Sequence, residues 1–140
     1  LAEYLEATKG YARKHGYTET LFGRRRQFPE MKSPLPYVRA QGERMAINAP
    51  MQGTQADIIK IAMVRIDEYL EKEGAKDDVH LLLQVHDELV YEIKDARVKV
   101  CAEKIKEIME SVLTPEQTKG VPIIAQVKAG QNWGEMESLA

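Results

Sequence analysis

The chain has 140 residues, of which 44% are hydrophobic and 30% charged, and a formal net charge of −2. That length suits one domain with a real core, and the composition is that of an ordinary globular protein, which excludes a low-complexity or collagen-like chain. No apolar run approaches a membrane span and no signal-peptide pattern opens the chain, while the single cysteine, Cys101, excludes an internal disulfide and suits a reducing compartment.

Charge is unevenly spread. Residues 1–50 carry nine Lys or Arg against five Asp or Glu, a balance of +4; residues 51–140 carry eleven against seventeen, a balance of −6. A basic front can hold phosphates and an acidic back can hold cations that bridge to them, although surface scatter gives a difference of this size too. The first residue is Leu1 rather than Met, which points to a piece of something longer.

Residues 1–15 read as a helix, with Leu1, Tyr4, Leu5, Thr8, Tyr11, Ala12 and His15 at helical spacings and Gly16 as its C-cap. His15 reads as a packing or surface residue. Tyr17–Phe22 reads as a strand and Gly23 as a turn, with Arg24–Phe28 returning as a second strand before Pro29. Three consecutive arginines on a hairpin alternate faces; those facing outward can meet phosphate oxygens, and a solvated basic turn is the equal alternative. Residues 29–37, with Pro29, Pro34 and Pro36, read as a loop, and Tyr37–Ile47 as a short helix weakened by Gly42.

Pro50 stands where a helix can begin, since its missing N–H costs nothing in a first turn. The helix after it is expected to bury Ala56, Ile59, Met63, Ile66 and Leu70 and to end near Glu73 at Gly74. Arg44, Asn48 and Gln52 enter it at spacings of four, each bearing a hydrogen-bond donor; as an alternative, Asn48 is an N-cap and Gln52 incidental.

Val79–Ile93 follows as two apolar, strand-length runs around His86, Asp87 and Glu88. This reads as a β-hairpin that holds two carboxylates at the tip of a buried support. Such placement suits a hard metal such as Mg²⁺, but taken by itself the hairpin is better read as a plain solvated turn, because acidic residues are common in turns. Asp95 then caps a second helix with Val98, Cys101, Ile105, Ile108 and Val112 on its buried stripe. Ile123–Lys128 reads as a final strand. The expected organisation is 1–50 leading in, 51–134 as the main portion, and 135–140 as a frayed tail. After residue 50 the order helix, strand, strand, helix, strand is the split β-α-β-β-α-β pattern lacking its first strand.

Gln84-Val85-His86-Asp87-Glu88-Leu89-Val90 resembles the third conserved motif of the family A DNA polymerases, the bacterial DNA polymerase I family. Arg44-Met45-Ala46-Ile47-Asn48-Ala49-Pro50-Met51-Gln52-Gly53-Thr54, with Ala56-Asp57-Ile58-Ile59-Lys60, resembles the segment before it. Gly16-Tyr17 to Thr20-Leu21, Gly23-Arg24-Arg25-Arg26, and Gly130 with Asn132-Trp133 are similar to further stretches of that family, in the same order. Two departures stand out: the proline-rich Ser33–Tyr37, and Gln27-Phe28 in place of a Tyr-Leu-like pair.

The resemblance implies an α+β fold: a partial polymerase palm, with an antiparallel sheet and its carboxylate hairpin packed on two long helices, preceded by a helix and a small basic hairpin from the end of the fingers. It implies template-directed nucleotidyl transfer in a DNA-directed DNA polymerase of replication and repair, using two Mg²⁺ ions roughly 4 Å apart. Asp87 is then a metal ligand paired with a carboxylate upstream of this chain, Glu88 a neighbour of the metal or primer end, and His86 a neighbour of the primer terminus. Arg44, Asn48 and Gln52 face the minor groove of primer–template DNA, where donors meet A N3 and T O2 acceptors whichever way the pair runs. Arg24, Arg25 and Arg39 become backbone contacts. The grip on deoxynucleoside triphosphates lies mostly outside the chain, which alone is expected to be inactive; the location is cytoplasmic, at the bacterial nucleoid. Two rival readings are a stand-alone nucleic-acid-binding module without catalysis and a metal-dependent phosphohydrolase using Asp87 and Glu88.

Overall fold

The computed structural model describes residues 2–139; Leu1, expected in the first helix, and Ala140, in the expected tail, lie outside the described residues. The chain divides into two compact units, Leu1–Asp57 and Ile58–Ala140.

In the first unit, helix α1 (Ala2–His15) ends at Gly16, whose φ of +77° continues the chain in the left-handed region that glycine enters without penalty. Strands β1 (Tyr17–Glu19) and β2 (Arg25–Gln27) pair antiparallel, with Tyr17 opposite Gln27 and Glu19 opposite Arg25. Both strands are shorter than their sequences suggest. Thr20 explains this: its Oγ1 accepts from Phe22 N and Arg24 N, which turns the chain before Leu21 and Phe22 can join a ladder. Pro29–Lys32 is a 3₁₀ turn rather than open loop. The core gathers Ala12, Phe28, Ala46 and Ala49. Phe28 is 1% exposed and anchors it.

The second helix corrects two expectations. Tyr37–Ile47 is not a separate short helix, and Pro50 does not start a new one. A single helix α2 runs Pro36–Lys72 with Pro50 inside it. An internal proline leaves the carbonyl four residues back, at Ala46, without its amide donor and costs about 3 kcal/mol. Ala46 and Ala49, on the turn that it interrupts, are both buried in the first unit's core, and their packing works against the loss.

In the second unit, α2 contributes Ala62, Ile66 and Leu70 to a core shared with Ala75, Val79, Cys101, Ile105, Ile108 and Val112. The helix stops as expected: Gly74 takes φ +59°, and Ala75 N donates back to Leu70 O at 2.8 Å. Strands β3 (Val79–Val85) and β4 (Glu88–Ile93) form a two-stranded antiparallel sheet with a bulge between Leu81 and Leu83. Helix α3 (Val98–Glu110) buries Cys101, Ile105 and Ile108 of the predicted stripe, with Val98 half-buried and Val112 buried just past the helix end; burial pushes the Cys101 thiol up in pKa. Asp95 does not cap α3. It lies in a 3₁₀ turn (Asp95–Arg97), and the residue before α3 is Arg97, with no side-chain cap. The turn is instead tied to Asp78, which pairs with Lys94 and with Arg97 Nε at 2.8 Å; the Lys94 bond chiefly holds the Asp78 carboxyl below its usual range.

Ile123–Lys128 is not a strand of the β3–β4 sheet. Burial alternates residue by residue from Ile123 to Val127, as in extended chain, but among the described residues the segment joins no ladder of that sheet. Ala125 N instead donates to the Glu110 side chain at 2.9 Å. Among the described residues the pairing at this end joins β5 (Lys128–Ala129) to β6 (Glu137–Ser138). The last residues therefore return to the fold, where fraying was expected. A side chain on Gly130 would collide with the Glu135 carbonyl, so the reversal between β5 and β6 requires glycine at that position.

Truncating Ile66, fully buried on α2, to Ala should destabilise the second unit by about 2–5 kcal/mol, whereas Val64→Ala on the exposed side should change stability by less than about 0.5 kcal/mol. Urea unfolding followed by circular dichroism checks both. Tyr91, on β4, has its hydroxyl pushed up to about 12, mainly by burial, with the Asp67 charge adding to the effect. The folded state thus favours neutral tyrosine. That stability is complete below the ordinary tyrosine pKa of about 10 and is lost as pH rises toward 12. A Tyr91→Phe variant should show a flatter stability profile across that window.

Candidate functional site

The hairpin tip is built by register. Val85 pairs with Glu88, so only His86 and Asp87 remain for the turn. A two-residue hairpin needs positive φ at its first or at both central positions, which usually calls for Gly or Asn. Here His86 takes it, at φ +51°, and Gln84 Nε2 donates to the His86 carbonyl at 3.1 Å across the turn. A non-glycine residue in that region is strained and persists only where its surroundings impose it.

Asp87 is exposed and has no hydrogen bond or ion pair among the described residues. Glu88 is exposed and accepts one bond, from Trp133 Nε1 at 3.0 Å. The support under this tip differs from the expectation. The β4 side is buried: Val90 is 7% exposed, and Leu89, Tyr91 and Ile93 pack on the core. The β3 side is open, with Leu81, Leu82 and Leu83 at 40%, 54% and 45% exposure, because no strand or layer covers it among the described residues.

The donor set at the tip fits a hard cation. Its oxygens belong to exposed carboxyl groups, and Mg²⁺ commonly takes one or two protein carboxylates with the remaining ligands from substrate phosphate and water. Among the described residues no cluster of three or more His, Cys, Asp or Glu side chains forms a complete cage. The pair suits a shared site rather than a closed one.

In the first unit the Arg44–Asp57 stretch of α2 has two faces. Arg44, Asn48 and Gln52 are exposed and have no hydrogen-bond partner among the described residues. At 3.6 residues per turn they fall within an arc of roughly 80°, spread along about 12 Å of axis. Gly53, Thr54 and Asp57 lie on the other side and seat the basic hairpin. A Cβ on Gly53 would sit 2.6 Å from Thr20 Cγ2. Thr54 Oγ1 accepts from Leu21 N at 3.1 Å. Arg24 donates through Nε to Asp57 Oδ1 at 2.7 Å and through Nη2 to Gly53 O at 3.0 Å.

The predicted basic contacts are therefore engaged inside the unit. Arg24 serves Asp57. Arg25 donates to Glu19 Oε1 at 2.6 Å and lies 4.5 Å from the Tyr17 ring centre. Arg39 Nη1 donates to Ser33 O and Pro34 O at 2.7 and 3.0 Å, and so fixes the proline-rich turn. Sequence reading missed Asp57, which is 8% exposed with Oδ2 unpaired. An Asp in a helical apolar stripe, 33 residues from an arginine, was the available signal. It also missed the Trp133–Glu88 bond, for which no local pattern exists.

Arg24→Ala should leave the Asp57 carboxylate buried without its cation and lower the first unit's stability by about 1–3 kcal/mol, with part of the loss recovered in the Arg24→Ala/Asp57→Asn pair. Urea midpoints of the two variants check this. Unchanged stability for Arg24→Ala would show that the bond holds nothing.

The model of DNA polymerase family A matches residues 1–135. DNA polymerase I of Rhizobium leguminosarum is 44% identical over 135 residues, covering 96% of this chain and 13% of that protein. The thermostable DNA polymerase I of Thermus aquaticus is 44% identical over 130 residues, covering 93% of this chain and 15% of that protein. Among solved structures, the POL domain of Pol1 from M. smegmatis, in complex with DNA primer-template and dNTP, is 41% identical with a TM-score of 0.77, covering 81% of this chain and 20% of that one. The chain thus spans only about an eighth to a seventh of the curated relatives it matches, and by sequence and fold it belongs to DNA polymerase family A.

Proposed function

We propose that this chain is the C-terminal part of the polymerase domain of a DNA-directed DNA polymerase, with residues 1–50 leading in from the fingers and residues 51–134 forming much of the palm. The observation that carries the reading is the exposed, unpartnered Asp87 carboxylate on a strained two-residue turn, in a chain of this family. The open leucines of β3 are consistent with a sheet that the rest of the polymerase covers.

Asp87 and Glu88 would hold Mg²⁺ together with a carboxylate from outside this chain. Magnesium bound there supplies charge neutralisation at the phosphoryl centre. The chain's own contribution is positional. The turn holds Asp87 at the hairpin apex, where no cation pairs with it among the described residues. His86 stands beside it, toward the primer terminus. Arg44, Asn48 and Gln52 present donors along one helix face to the minor groove of the primer–template duplex, where acceptors recur in every base pair and pair geometry can be sensed without reading sequence. Arg24, Arg25 and Arg39 add positive charge toward the DNA backbone while remaining tied to their internal partners. The triphosphate is gripped mainly elsewhere in the polymerase, so the chain by itself lacks activity.

In the intact polymerase, Asp87→Ala should lower primer extension by about a thousandfold or more, the rate equivalent of several kcal/mol of lost charge stabilisation, with duplex affinity nearly unchanged. Near-normal turnover would refute the metal role. Arg44→Ala and Gln52→Ala should weaken primer–template binding by similar factors for every terminal base pair, measured by fluorescence anisotropy. A loss confined to one base pair would point to direct base readout. Salt-sensitive DNA binding by the isolated chain that ignores Mg²⁺ would instead favour a binding module.

A further inference from the structure

Asp87 and His86 have no side-chain partner among the described residues, but Glu88 does. Trp133 lies 45 residues further along the chain, in the reversal between β5 and β6, and its indole N–H meets Glu88 Oε1 at 3.0 Å. The reversal is shaped for this presentation. Asn132 Oδ1 accepts from Gly134 N at 3.0 Å, Asn132 Nδ2 donates to Glu135 Oε2 at 2.8 Å, and Glu135 N donates to Asn132 O at 3.3 Å. Gly130 allows the Glu135 carbonyl to cross where a side chain would stand. Trp133 itself is 52% exposed, so the ring is not a core residue. The bond to Glu88 is the one directed contact its polar atom makes among the described residues.

We propose that Trp133 is a positioning residue for the polymerase reaction, holding Glu88 Oε1 so that the carboxylate keeps one orientation and leaves Oε2 as its free oxygen. The proposal rests on the polymerase reading above and deepens it. A glutamate on an exposed tip has several rotatable bonds, and freezing them during the reaction would cost rate. A donor that fixes one oxygen beforehand removes that cost, as supporting hydrogen bonds do at other ligand carboxylates. The C-terminal β5–β6 segment thereby becomes part of the site.

The test uses the intact polymerase. Trp133→Phe keeps the ring and removes the N–H. Its single-nucleotide extension rate should fall about three- to tenfold, while KM for the triphosphate, affinity for primer–template and Tm stay close to wild type. On a Glu88→Ala background the same change should have no further effect. A crystal structure of Trp133→Phe should show the Glu88 carboxylate in a new or split orientation. A wild-type rate, a loss fully additive with Glu88→Ala, or an unmoved Glu88 would each overturn the proposal. If Trp133→Phe also lowers Tm, Trp133→His decides: recovery of rate through its ring N–H supports positioning, and equal loss in both variants rejects it. Asp87→Ala serves as the control. An active Asp87→Ala enzyme means that the metal role given to this hairpin tip has failed, whereas an inactive one alongside normal Trp133→Phe means that only the Trp133 role has failed.

Discussion

The pairing of Val85 with Glu88 leaves room for only two residues at the hairpin tip, and the site depends on that constraint. His86 must turn with a positive φ, at a cost of about 1–2 kcal/mol for a residue with a Cβ. The register cannot slip to relieve it, because a one-residue shift would carry Val90, now buried, to the opposite face and move Tyr91 off the core. Core packing on the β4 side thus sets the position of Asp87.

The segment from Arg44 to Asp57 makes a similar division between support and function. One side of α2 is occupied by Gly53, Thr54 and Asp57, which receive the Thr20 turn and Arg24. The other side leaves Arg44, Asn48 and Gln52 exposed, without a side-chain partner among the described residues. Residues that look like one motif in sequence therefore separate into anchors and donors in three dimensions. The arginine run of β2 follows the same logic: Arg24 holds the hairpin down, while Arg25 pairs across it with Glu19.

Periodicity made much of this legible. The buried stripe of α3, the end of α2 at Gly74 and the β3–β4 hairpin all follow from spacing and turn residues, because each is decided by neighbours in sequence. The failures share a cause of the other kind. Pro50 argues locally for a helix start, yet the helix runs through it, with Ala46 and Ala49 buried on the turn it interrupts. Ile123–Val127 has the alternation of a strand but finds the Glu110 side chain instead of a ladder. Leu81–Leu83 read as buried because they are apolar, whereas exposure depends on what covers β3, and sequence spacing carries no record of that. The Trp133–Glu88 bond and the Arg24–Asp57 pair join positions 45 and 33 residues apart, beyond any local pattern.

The central claim is that Asp87 is a metal ligand and that Arg44, Asn48 and Gln52 face the duplex. A crystal structure of the intact polymerase with primer–template, an incoming nucleotide and Mg²⁺ tests both parts at once. The account predicts an Asp87 carboxylate oxygen about 2.1 Å from a magnesium ion and the three side chains within hydrogen-bond reach of minor-groove acceptors. An Asp87 carboxylate bonded only to water, with that face of α2 turned away from the DNA, would contradict it.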